Sequence, residues 1–199
     1  MVRGFAPGLE PPPLPPPVPP GPVRRHAVTL GLAVLGGFFA VVGAFIEESR
    51  GASPLLVILL APTIEEVLKP SGVIWIFEKR PHFFLSAGHV VLLCVVGALV
   101  FATLENLLYI YVYLPGSAVA AAERGGFIRF RFLVCTALHV TCSAIMGVGL
   151  ARQLRRIRKE GVEFDMERSL PYIITAIAIH AQYNLAVTIL ESAGWRPWS

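Results

Sequence analysis

Charged side chains are scarce in this 199-residue chain, 15% of the whole, where a soluble domain carries about 25%. Regular apolar/polar alternation is also missing; the apolar residues, 55% of the total, come in long runs, and mean hydropathy is +0.66. Together these exclude an ordinary soluble domain and point to membrane spans. Only three cysteines are present, Cys94, Cys135 and Cys142, all inside apolar segments. An odd set so placed excludes a disulfide framework and suits small apolar packers. No H-E-x-x-H and no G-x-S-x-G motif occurs, so two common hydrolase designs are missing. The net charge of +4 resides in short loops between apolar runs, a pattern for membrane orientation and not for nucleic-acid binding.

What is present divides the chain into three expected regions: a proline-rich tail over 1–26, a transmembrane helical domain over 27–190 and a short tail over 191–199. Residues 11–22 read PPPLPPPVPPGP, which favours polyproline II and cannot build a packed core. Five apolar runs follow, Ala27–Ile46, Pro54–Phe77, Phe84–Tyr113, Phe127–Ala151 and Leu170–Leu190. Each is long enough to cross a hydrocarbon core of about 30 Å. The fold class expected is an all-α polytopic bundle of about five spans, in a bacterial or archaeal cell membrane. With the N-terminus in the cytoplasm, the inside segments hold Arg3, Arg24, Arg25, Lys79, Arg80, Arg152, Arg155, Arg156, Arg158, Lys159 and Arg168, 11 basic residues. The outside segments hold Arg50, Arg124, Arg129, Arg131 and Arg196, 5 basic residues. That asymmetry predicts a cytoplasmic N-terminus. Tyr109, Tyr111, Tyr113, Trp195 and Trp198 at outer ends and Trp75 at an inner end agree with headgroup-level aromatics.

Polar residues interrupt these runs. The second carries Glu65, Glu66 and Lys69 between Pro62 and Pro70; the third carries Glu105 and Asn106; the fourth His139; the fifth His180 and Asn184. Ionisable groups at membrane depth cost several kcal/mol and persist where they face a bundle interior or a watery cavity. At about 1.5 Å rise per residue, Glu65 lies about 16 Å below Pro54, Glu105 about 12 Å below Tyr113, His139 about 18 Å below Phe127 and His180 about 15 Å below Leu190. Four helices thus bring a polar group to one level, which implies one shared site. Glu65 and Lys69 are i, i+4, so they share a helix face and can pair, with Lys69 as a charge partner of the two carboxylates. Glu65 and Glu66 point about 100° apart, so one should face a cavity and the other bond within the bundle. Asn106, Thr136 and Ser143 read as interhelical hydrogen-bond partners, and His89, His26 and His82 as residues flanking spans.

The motifs Glu65-Glu66-x-x-Lys69, Phe101-x-x-x-Glu105-Asn106, His139 with Ser143, and His180-x-x-x-Asn184, in this order on successive helices, resemble the PrsW family, a branch of the CAAX-protease and bacteriocin-processing superfamily. The resemblance covers about residues 54–190. It implies an intramembrane peptidase acting on a membrane-anchored protein substrate. In it the Glu pair would activate water, and His180 and Asn184 would face the scissile carbonyl and its oxyanion. The wider superfamily usually has histidine where this chain has Glu105.

Peptide hydrolysis needs an activated water, oxyanion stabilisation and a proton for the leaving amine, and a carboxylate desolvated in the membrane can serve as base near neutral pH. The candidate catalytic set is Glu65, Glu66, Glu105, His139, His180 and Asn184, supported by Lys69 and Asn106. Glu65, His139 and His180 are also candidate zinc ligands, so a glutamic and a metal-dependent type both stay open; the lack of a zinc motif favours the former. The rival reading is a small transporter or proton-coupled channel using the same groups, against which the polar groups form a layer and not a file. A haem-binding bundle held by the two histidines conflicts with the neighbouring carboxylates, and a scaffold subunit has no need of buried charge.

Overall fold

The computed structural model describes residues 21–48, 53, 55–117, 119 and 121–198. The polyproline stretch through Pro20, together with Arg50 and Pro54, lies outside the described residues, as do the side chains of Glu47 and Glu48. Every described element is helical. Helix α1 spans Pro22–Glu48, α2 Ala61–Leu68, α3 Ser71–Lys79 and α4 Ala87–Leu108. Helix α5 spans Arg124–Phe130, α6 Thr136–Glu160 and α7 Leu170–Ser192.

Among the described residues four helical segments are long and apolar enough to cross a membrane: Pro22–Ile46, Ala87–Gly116, Ala121–Glu160 and Met166–Ser192. The chain is an all-α integral membrane bundle. The segment expected as a second span is not one helix. Proline at position 70 offers no N–H to continue the helix; Lys69 keeps helical dihedrals (φ −50°, ψ −47°) and the backbone departs at Pro70 (φ −84°, ψ 2°), so α2 ends at Leu68 and α3 starts at Ser71. Ile74 N then donates to Pro70 O at 2.9 Å to open the new helix. Broken backbone at membrane depth survives only where protein surrounds it, and here glycines supply the surroundings. A Cβ on Gly36 would lie 2.6 Å from the carbonyl oxygen of Lys69, and one on Gly97 3.1 Å from the same atom. Side chains on Gly72 or Gly37 would collide with the carbonyls of Leu32 and Gly97. Small residues thus let α1 and α4 close on the break backbone to backbone, which fixes the position of Lys69.

Helix ends carry their own signals. Ser86 caps α4 by accepting from His89 N at 3.0 Å. Gly161, at φ 66°, ends α6 in the left-handed conformation that glycine tolerates. Asp165 accepts from Glu167 N at 3.0 Å just before α7. The 40 residues of the α5–α6 segment exceed the bilayer core, so its C-terminal end, with Arg152 to Lys159, projects beyond it.

Apolar packing concentrates around Val73, Ile76, Phe77, Leu93, Met146 and Leu150, where Phe77 meets Phe84 at 4.4 Å and Phe164 at 5.0 Å between ring centroids. A second cluster joins Ala40, Val41 and Ala44 of α1 to Phe101 of α4. Leu35, Phe38, Phe39, Leu92, Ile174 and Ile189 stand exposed, as lipid-facing side chains do. Helix α7 is the least enclosed span, touching α6, α2 and the turn before α2.

One irregularity recurs. Three of the helices bearing the polar layer each contain a five-residue π-helical turn near it: Leu56–Leu60 before α2, Tyr109–Tyr113 after α4 and Arg131–Cys135 before α6. Such wide turns redirect side chains and free backbone groups.

Candidate active site

Each polar group arrives on a different element. Glu65 and Glu66 come from α2, Lys69 from the break, Glu105 and Asn106 from α4, His139 from α6, and His180 and Asn184 from α7. All but Asn184 are less than a tenth exposed. Phe101 forms one wall, its ring 4.9 Å from the His139 ring and 4.9 Å from Lys69 Nζ.

Within this group the two adjacent glutamates part company. Glu66 Oε1 accepts from Lys69 Nζ at 2.6 Å and faces His180 Nδ1 at 2.8 Å. Glu65 instead lines a cavity of about 230 Å³ together with Glu105, Arg131, His139, His180 and Asn184. Its Oε2 lies 3.9 Å from His139 Nδ1 and 3.9 Å from His180 Nδ1. The Lys69 ammonium turns to the carboxylate at i−3, and Glu65 points into the cavity one step around the helix. The division of labour expected for the pair, one in the cavity and one within the bundle, holds.

Hydrogen-bonding partners assign the tautomers. A carboxylate only accepts and an ammonium only donates. His139 Nε2 sits 3.2 Å from Glu105 Oε2, and its Nδ1 3.1 Å from Lys69 Nζ; the proton belongs on Nε2. His180 faces Glu66 through Nδ1, so its proton belongs there and Nε2 keeps a lone pair. The rings stand at 78° with centroids 5.0 Å apart.

A second polar knot lies behind Glu105. Arg131 Nη2 donates to Glu105 Oε2 at 2.7 Å and Arg131 Nε to Asn106 Oδ1 at 3.0 Å. Asn106 Nδ2 donates to Thr136 Oγ1 at 3.1 Å and to Arg131 O at 3.3 Å, and the guanidinium lies over the Tyr109 ring at 3.6 Å. Asn106 and Thr136 are interhelical bonding partners, as expected. Asn184 Nδ2 donates to Val57 O at 2.9 Å, tying α7 to the π turn before α2. Ser143, one turn after His139 on α6, is buried, and its hydroxyl has no hydrogen-bond partner among the described residues, so the interhelical bond expected of it is not formed. His89 sits apart, near the start of α4, with its ring 4.7 Å from that of His26.

Arg131, expected among the outer loop charges, is instead drawn into the site, where it lines the cavity beside Glu105. Tyr183 joins it there, its hydroxyl 3.2 Å from Cys135 Sγ. Arg129 and Arg131 both fall near the start of the run from Phe127, so spacing does not single out Arg131; the pairing with Glu105 does.

The donor set suits a divalent ion. Glu65, His139 and His180 each offer one ligand atom, all within 4.8 Å of one another and all buried, and a carboxylate with two imidazoles is an ordinary zinc environment; an ion on His139 Nδ1 would take the place of the Lys69 Nζ contact at 3.1 Å. Three carboxylates (Glu65, Glu66 and Glu105) stand beside two fixed cations (Lys69 and Arg131). Glu66 behind His180 and Glu105 behind His139 match the way carboxylates orient metal-binding imidazoles.

No curated protein and no solved structure matches this chain. A family model described as PrsW family intramembrane metalloprotease matches residues 24–196.

Proposed function

We propose, since this chain belongs to the PrsW family and is therefore an intramembrane protease, that Glu65 activates the water that cleaves a membrane-anchored protein substrate. The observation that carries this is the split between the two glutamates. Glu66 is occupied by Lys69 and His180, while Glu65 lines the cavity within 3.9 Å of both imidazoles.

In the proposed reaction Glu65 takes a proton from water as the hydroxyl attacks the scissile carbonyl. It then passes that proton to the leaving amine, so that one carboxylate serves as base and then acid. Asn184 has a second amide hydrogen beside the one given to Val57 O and can donate it to the oxyanion. His180, with its proton on the Glu66 side, presents Nε2 as an acceptor and not as an oxyanion donor; this favours the metal-dependent type over the glutamic one. His139, His180 and one oxygen of Glu65 would hold the ion, which when bound would supply Lewis-acid polarisation of water and carbonyl, while the other Glu65 oxygen stays available as the base. Glu105 and Glu66 keep the two imidazoles oriented. The cavity runs from Glu65 toward Thr188, Glu191 and Trp198. With the N-terminus in the cytoplasm, that direction leads to the outer surface, so the site opens to that side and cleavage falls at the depth of Glu65.

The test is a single-span reporter protein co-reconstituted in lipid vesicles with purified wild-type enzyme or the variants Glu65→Gln, His139→Ala and His180→Ala, with zinc content measured on the same samples. Glu65→Gln should lower turnover by about 10²–10⁴-fold, and each histidine variant should lose zinc and turnover together. Wild-type turnover by Glu65→Gln would overturn the proposal and favour an ion-conducting role for the same groups.

A further inference from the structure

Arg131 opens the π turn that leads into α6, and this backbone irregularity decides where its side chain goes. In an unbroken α-helix eight residues rotate by about 80° beyond two full turns, which would carry Arg131 off the face that His139 presents. A π turn rotates less per residue and returns Arg131 to that face. Both side chains consequently meet one atom: Glu105 Oε2 accepts from Arg131 Nη2 at 2.7 Å and from His139 Nε2 at 3.2 Å. Within the same turn the carbonyl of Arg131 accepts the backbone N–H of Thr136 and, as a second bond, Asn106 Nδ2 at 3.3 Å. Asn106 returns the contact by accepting from Arg131 Nε at 3.0 Å. The guanidinium is thus held at two edges and on one face, by Glu105, Asn106 and the Tyr109 ring.

We infer that Arg131 is a positioning residue for the hydrolysis, acting through Glu105 to hold His139 in the tautomer that turns an unprotonated Nδ1 toward Glu65 and Lys69. The inference rests on the function proposed above for Glu65 and His139. A carboxylate alone can swing or accept at either oxygen. Arg131 gives Glu105 one bond, Nη2–H to Oε2, from a guanidinium that Asn106 and the Tyr109 ring hold in place, and the same Oε2 faces His139 Nε2–H. Lysine would keep the positive charge but cannot reach Glu105 and Asn106 together with fixed in-plane geometry. Charge neutralisation and positioning can therefore be separated.

The experiment compares wild type, Arg131→Lys and the double variant Arg131→Ala/Glu105→Gln, which removes both charges so that no buried carboxylate is left alone. Two quantities are read on protein in lipid vesicles: kcat and KM on the single-span reporter, and the ¹⁵N signals of the His139 ring with the imidazole labelled. Arg131→Lys should keep KM and lower kcat by about 10–100-fold, and the His139 signals should move from a single Nε2–H tautomer to a mixture. The double variant should show the same mixture. If Arg131→Lys retains both wild-type kcat and the wild-type His139 signals, Arg131 only neutralises charge and the inference is overturned. The ring signals are also recorded in a Glu65→Gln background. There a tautomer shift caused by Arg131→Lys supports the positioning role even if Glu65 itself proves dispensable, so the two claims fail separately.

Discussion

Lys69 Nζ and Glu66 Oε1 are joined at 2.6 Å with their side chains 0% and 1% exposed, and the same carboxylate oxygen faces His180 Nδ1 at 2.8 Å. One cation therefore stabilises a buried carboxylate that in turn fixes a ring of the candidate site. Lys69→Met would leave Glu66 charged and unpaired, and breaking a buried pair in this way costs about 3–5 kcal/mol. The expected outcome is a marked fall in thermal stability of the purified protein in detergent, largely restored by Lys69→Met/Glu66→Gln. Equal stability of Lys69→Met and wild type would mean the pair contributes nothing.

Asn184 links the last helix to the turn before α2 through Val57 O, at 2.9 Å. Asn184→Ala is expected to lower kcat on the membrane-tethered reporter by about tenfold, less than the 10²–10³ typical of a dedicated oxyanion donor. One of its two amide hydrogens is already engaged, which limits what the substitution removes from the transition state. A loss as deep as that of Glu65→Gln would contradict this division of roles.

The helix break that carries Lys69 is enclosed by glycines, and that enclosure can be tested directly. A side chain at Gly37 would collide with Gly97 O, and one at Gly72 with Leu32 O. Gly37→Val and Gly72→Val should each destabilise the bundle by at least the 1–3 kcal/mol or so typical of overpacking, seen as a lower unfolding midpoint. Gly31 has nothing within 4 Å of a Cβ, so Gly31→Ala should leave the midpoint unchanged or slightly raised.

Orientation is checked by reporter fusions. A fusion after Gly116 should be exported, and fusions after Arg80 and Lys159 should stay in the cytoplasm, as the 11-to-5 asymmetry of basic residues requires. The reverse pattern would place the cavity mouth on the cytoplasmic side and reverse the side from which the site is reached.

Much of the site is legible in the order and spacing of residues. Glu65, Glu105, His139 and His180 stand out because hydrocarbon removes the ordinary explanation for an ionisable side chain, and constant helical rise puts them at one depth. Four of the five expected spans are legible in the same way, since length and hydropathy measure the capacity to cross a bilayer. Within the second segment, Pro70 signals an interruption but not its form.

The sequence by itself determined that this is an all-α membrane protein with acid, imidazole and amide groups gathered in one layer, because burial cost and helix periodicity are properties of single segments. Only the tertiary structure decided which partner each group takes. Lys69 could reach Glu65 or Glu66 by spacing, and it is the rotation of α2 against α7, with His180 on the Glu66 side, that settles the pair. Arg131 became a site residue only because the turn of Arg131–Cys135 is wider than an α-helix and because α4 brings Glu105 alongside it. A π turn responds to packing between helices, and a contact between helices depends on how both are rotated; neither is written in the spacing of residues along one chain segment.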